Sequence, residues 1–177
     1  MPLGRFTRVA ALLAVLSLSG CGLTHLQDLN FRVDKRLHFV TPKDRSTVTR
    51  PFTVTWTMDD FRVAPQGSEP PSRDAGYFAV FVDKTPIKPG KTMRSLVNND
   101  QACKLDPKCP DRSYLEGLGV YTTTATSVRI TQVTNVIGDK EKLQHHAITV
   151  VLMDTSGHRI GESAWELDVR MQRVGYS

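Results

Sequence analysis

The chain has 177 residues, of which 40% are hydrophobic and 23% charged, with a formal net charge of +5 at pH 7. These are the proportions of a folded globular domain, which excludes a disordered acidic or basic chain. So small a charge, spread along the sequence, gives no footing for nucleic-acid binding.

The N-terminal residues have the layout of an export signal. Arg5 and Arg8 precede an apolar run from Val9 to Leu18, and small residues lead to Cys21. The run is about ten residues, half of the roughly twenty that a spanning helix needs. The tetrad Leu18-Ser19-Gly20-Cys21 resembles the lipobox of bacterial lipoproteins. That resemblance implies cleavage before Cys21, a diacylglycerol on its thiol and a palmitate-type acyl chain on its amine. It implies a protein anchored by that lipid at the extracytoplasmic face of the cell membrane. On this reading residues 1–20 are signal peptide, 21–36 the lipidated N-terminus and tether, and 37–177 the folded domain. Loss of Arg5 and Arg8 lowers the net charge to +3, because every Asp and Glu follows Cys21. That mild excess suits anionic headgroups or acidic wall polymers.

Beyond the tether, where one helical turn is expected around Leu26 and Leu29, Leu37 to Val40 reads as a first strand and residues 41–46 as a turn. Phe52 to Met58 alternates large apolar residues with threonine, a strand with one buried and one wet face; Trp56 belongs to its core side. Residues 62–74 read as a loop rich in proline. Tyr77 to Val82 is apolar on both faces, as in a central strand or a sandwich strand with a loop over its outside. Ile87 to Gly90 reads as a short edge segment, since Pro86 and Pro89 cannot donate to a ladder. Residues 92–119 form a long loop with a helical turn capped by Asp111. Residues 120–124, 127–131 and 145–153 read as strands, the last preceded by a polar turn at 138–142. A turn at Asp154-Thr155-Ser156-Gly157 then leads to a returning strand from Arg159, in which Trp165, Leu167, Val169 and Met171 alternate with charged residues.

With Cys21 lipidated, Cys103 and Cys109 remain as an even pair in an oxidising compartment, and a disulfide between them is expected. Five intervening residues fit neither a zinc pair nor a Cys-x-x-Cys redox motif. The short loop they close is expected to contribute about 2 kcal/mol at most.

Seven to nine short strands with almost no helical period predict an all-β antiparallel sandwich with one long disulfide-containing insertion at about 92–119. Residues 51–56, with Trp56, resemble the second strand of fibronectin type III-like modules. Residues 146–161 resemble the last hairpin of bacterial immunoglobulin-like repeats. Two departures stand out: no cysteine pair bridges the core strands, and the minimal module has no place for the insertion. The resemblance implies adhesion, scaffolding or ligand binding, and the fold alone cannot choose among them.

No catalytic constellation emerges. His145 and His146 are adjacent on a strand and point to opposite faces, so they cannot share an ion; Asp83 and Asp154 are their conceivable partners. Gly90-Lys91-Thr92 lacks the rest of a phosphate loop. Gly161-Glu162-Ser163-Ala164 lacks the closing glycine of a hydrolase elbow. Asp59 and Asp60 read as turn residues. No metal or cofactor is expected. The favoured expectation is a non-enzymatic binding module of the cell envelope, its partner an unknown protein or polymer met through the decorated loop. The alternative is a carbohydrate- or small-solute-binding lipoprotein with a cleft lined by Tyr114, Tyr121 and Trp165. An envelope hydrolase ranks third, and would gain from a pocket with two close carboxylates or from a histidine beside a serine.

Overall fold

The computed structural model describes residues 34–134 and 140–173. The expected signal peptide, the lipobox-like tetrad ending at Cys21 and the expected turn at Leu26–Leu29 lie outside the described residues, as does part of the expected 138–142 turn. Nine strands occur among the described residues, in two sheets.

The smaller sheet has the order β1 (Leu37–Thr41), β3 (Phe52–Met58), β7 (Ser127–Ile130), all antiparallel. The larger has the order β2 (Ser46–Val48), β9 (Trp165–Gln172), β8 (Leu143–Asp154), β5 (Ala75–Val82), β4 (Arg62–Val63). On the β4 edge of β5, strand β6 (Val120–Thr123) pairs with residues 78–81. The all-β expectation holds, with one difference: β2 runs parallel to β9 and β4 parallel to β5. Both are two- or three-residue contacts at the margins. The strong ladders, β5–β8 and β8–β9, are antiparallel.

Alternation along the strands divides the core in two. Val54 and Trp56 of β3 face Phe78 and Val80 of β5, Ile148, Val150 and Leu152 of β8, and Leu167 and Val169 of β9 between the sheets. Trp56 meets Phe78 edge-on at 5.2 Å between ring centroids. The other faces of β5 and β8, carrying Tyr77, Ala79, Phe81, Val151 and Met153, bury a second cluster with Ile87 from the preceding segment and Met93 and Leu115 from the insertion. This is why Tyr77 to Val82 has no wet face: one side meets the opposite sheet and the other lies under the loop.

The insertion is therefore a third layer. It contains a 3-10 helix (Met93–Val97), α1 (Gln101–Leu105) and α2 (Arg112–Gly117). Ile87 to Gly90 forms no strand; Ile87 is buried in the outer cluster instead. The returning strand begins only at Trp165, after an isolated bridge from Arg159 to Met153.

Candidate functional site

The third layer is held from both ends. The backbone of Arg159 receives a hydrogen bond from Gly90 N (2.9 Å) and donates to Lys91 O (2.9 Å). Its buried guanidinium donates to Ile87 O at 2.6 Å and Glu162 O at 2.9 Å, so a cation is anchored entirely on carbonyl oxygens. Burial holds its pKa below the usual arginine range.

Further along, the side chain of Asp100 caps α1 by accepting from Cys103 N (3.0 Å), and Asp111 caps α2 by accepting from Tyr114 N (2.8 Å). Tyr114 Oη donates to Asp100 Oδ2, tying the two helices together and keeping the Asp100 carboxyl below its ordinary range. Cys103 and Cys109 form the disulfide, with Cα atoms 5.2 Å apart. Arg94 donates to Cys109 O (3.0 Å) and Lys104 O (3.1 Å), bracing the bridged loop from outside.

Between this layer and the sheet lie two adjoining hollows of about 360 and 300 Å³, sharing Gln66, Tyr77, Arg112 and Thr122 in their linings. Arg94, Lys108 and Arg112 supply three positive charges, and no carboxylate lines either hollow. Tyr77 is 6% exposed, and its hydroxyl makes no hydrogen bond among the described residues. Its pKa is pushed up to about 12, first by burial and then by the charge of Asp154, so the phenol stays protonated and free to donate. Gly157, at φ +88°, closes the wall: a Cβ there would meet Gln66 Nε2 at 2.6 Å.

A larger groove of about 780 Å³ lies at the uncovered end of the same sheet face. Ala147 and Thr149 form its floor, Glu166 and Asp168 one wall, and Asp83 to Pro86 the other. Asp83 is already engaged: its carboxylate meets His146 Nδ1 at 2.6 Å and accepts from Ala147 N at 2.9 Å. His145 faces the groove and His146 points into the protein, so the two histidines do part to opposite faces. No group of three or more metal-ligating side chains occurs among the described residues.

The three aromatic residues expected to line a cleft are not gathered. Tyr121 and Trp165 lie in the inter-sheet core. Tyr121 Oη donates to Gln132 O (3.1 Å), and Trp165 Nε1 donates to Asp34 O (2.8 Å). Tyr114 belongs to the outer layer and is committed to Asp100. Strand alternation explains the separation, because Tyr121 and Trp165 occupy inward positions of their strands.

A histidine does sit beside a serine: Ser156 Oγ lies 2.8 Å from His158 Nδ1 in the β8–β9 turn. Asp154 Oδ1, however, accepts from Ser156 N, Ser156 Oγ and His158 N, which is the bonding of an Asp-initiated turn. A nucleophile activated by histidine needs the acid behind the imidazole, not on the serine. Glu166 and Asp168 stand two residues apart on one face of β9, about 7 Å along the strand, and project side by side rather than across a cleft.

Sequence reasoning missed Tyr77 and Arg112. A tyrosine opening an otherwise apolar strand was the available signal, since a buried phenol needs a place for its hydroxyl. Compared with known proteins, the chain matches no family model, no curated protein and no solved structure.

Proposed function

We propose that this chain is a lipid-anchored, extracytoplasmic, immunoglobulin-like module that binds a component of the cell envelope without catalysis. The Leu18–Cys21 tetrad supports the address. The strand plan supports the fold type. β3 and β7 in one sheet facing β9–β8–β5 in the other, with β6 beyond β5, follows the immunoglobulin order of B and E against G, F and C with an added strand. Trp56 on β3, in the B position, fits the fibronectin-like variant.

The observation that carries the binding role is the outer layer itself. It is seated on the sheet by its own apolar cluster and braced by a disulfide; residues 92–119 carry four Lys or Arg against four Asp or Glu, and Lys84, Lys88 and Lys91 just before them add a cationic excess. All of those cations except Lys84 are exposed. A rigid scaffold with this modest cationic excess is suited to an acidic partner, and the rigidity limits the entropy lost on binding.

Retention of the full-length protein on washed envelope fractions tests this. Charge reversal at Lys88, Lys104 and Lys108 together should release it at several-fold lower salt while leaving the melting temperature unchanged. Unchanged retention would remove the outer layer as the binding surface. Intact mass on the membrane fraction, before and after reduction, checks the anchor: the chain from Cys21 plus lipid should gain two hydrogens.

A further inference from the structure

We propose that the twin hollow beneath the disulfide loop is a binding site for one anionic group, a carboxylate or a phosphate, carried on a small polar ligand. This deepens the reading above by giving the outer layer a ligand chemistry, and it rests on that layer being the binding surface.

The argument starts from the Tyr77 hydroxyl. It belongs to a residue more than nine-tenths buried, lines both hollows and has no partner of its own. The hydroxyl opens into the hollows, where a polar ligand atom can take the place of solvent. As a protonated phenol it can donate to a ligand oxygen.

The surrounding charge selects the kind of acceptor. Arg112 uses Nε on Glu116 (2.8 Å), which leaves the two terminal nitrogens for a planar or tetrahedral oxyanion. Lys108 adds a second, unpaired charge at the rim. Arg94 contributes its field while its nitrogens stay on the loop carbonyls. Gln66 and Thr122 supply neutral polar groups for the rest of the ligand, and the combined lining holds no carboxylate to repel it. Asp154 raises the Tyr77 pKa from nearby but lies outside both linings, its Oδ1 filled by three donors of its own turn. The hollows fall in the size range of small-molecule sites.

The test titrates the full-length chain, purified in detergent, with inorganic phosphate, glucuronate and uncharged glucose, followed by calorimetry. At least one anion should bind with a dissociation constant on the order of 1 mM at low salt, and glucose should not. Which anion binds identifies the source of the group. Tyr77→Phe and Arg112→Gln should each weaken binding about tenfold. Tyr77→Phe keeps the buried ring, and Arg112→Gln is at an exposed position, so the second variant stands if the first fails to fold. Absence of binding by both anions, or wild-type affinity in Arg112→Gln, would overturn the site. If the anions fail while charge reversal still abolishes envelope retention, the site falls and the binding role stands. If the anions bind at Tyr77 while retention is unaffected by charge reversal, the outer layer fails as an envelope surface and the hollow survives as a solute site.

Discussion

Asp34 shows how much one carboxylate at the edge of the body can hold. Its oxygens accept from Arg36 Nη2 (2.8 Å), Arg36 N (3.0 Å) and Ser163 Oγ (2.6 Å), while its carbonyl receives the Trp165 indole N–H. The Arg36 hydrogen bonds, first among the causes, lower its pKa from 3.8 to about 2. A carboxyl depressed on folding stabilises the protein above its unfolded pKa. That contribution, about 2 kcal/mol, is lost as pH falls from about 4 through 2. Urea unfolding from pH 6 to pH 2 should therefore show a wild-type decline in that window whose Asp34 share is absent from Asp34→Asn. A second residue-scale expectation concerns Gly76, whose φ is +154° and where a Cβ would stand 1.9 Å from Met153 O. Gly76→Ala should destabilise by about 3 kcal/mol or more, since the clash is with the backbone of the partner strand and cannot be relieved by a rotamer change. Thermal denaturation checks it.

At the scale of elements, the outer layer behaves as two parts. The stretch around α1 and the disulfide buries only Val97 and Cys103, and its Leu105 is 87% exposed. Met93 and Leu115, by contrast, cover Phe81, Val151 and Met153. Removing the whole stretch from Thr92 to Gly119 would uncover the second cluster. Replacing residues 98–110 by a short Gly-rich link should leave a monomer that melts cooperatively. Deleting 92–119 should yield a protein that binds ANS and elutes as aggregate in size-exclusion chromatography. Cys103→Ser with Cys109→Ser should lower stability by about 2 kcal/mol or less, because the bridge closes a short loop. Equilibrium denaturation of that double variant reads the value directly.

For the whole molecule, β5 and β8 are the centre of gravity, since each contributes to both clusters and they share the seven-residue ladder from Gly76 to Val82. Amide exchange in β5 should require global unfolding, whereas the two- and three-residue strands β4 and β2 should exchange by local opening. Equal protection in all three would mean that the margins are bound more tightly than their short pairings indicate. The same centrality places the hollow: Tyr77 sits near the start of β5 on its outward face, so the strand that organises the core also presents the hydroxyl.

Much of this was legible in the amino-acid order. Period-two alternation in Phe52 to Met58 and Trp165 to Met171 needs no tertiary information to declare a buried and a wet face. The doubly apolar Tyr77 to Val82 announced a strand covered on both sides. The Cys103–Cys109 pairing was expected once the lipobox resemblance set Cys21 aside, and the disulfide is present. What the tertiary structure alone decided is which distant residues share a space. Tyr114, Tyr121 and Trp165 are all aromatic, but alternation sends two of them inward and the third into the outer layer. Tyr77, Gln66, Arg112 and Thr122 are remote in sequence and meet only because the insertion folds back over the sheet. Local physics, acting over a few residues, is written into the order of side chains; the site depends on where a long loop comes to rest, and that is set by the apolar surface it finds there.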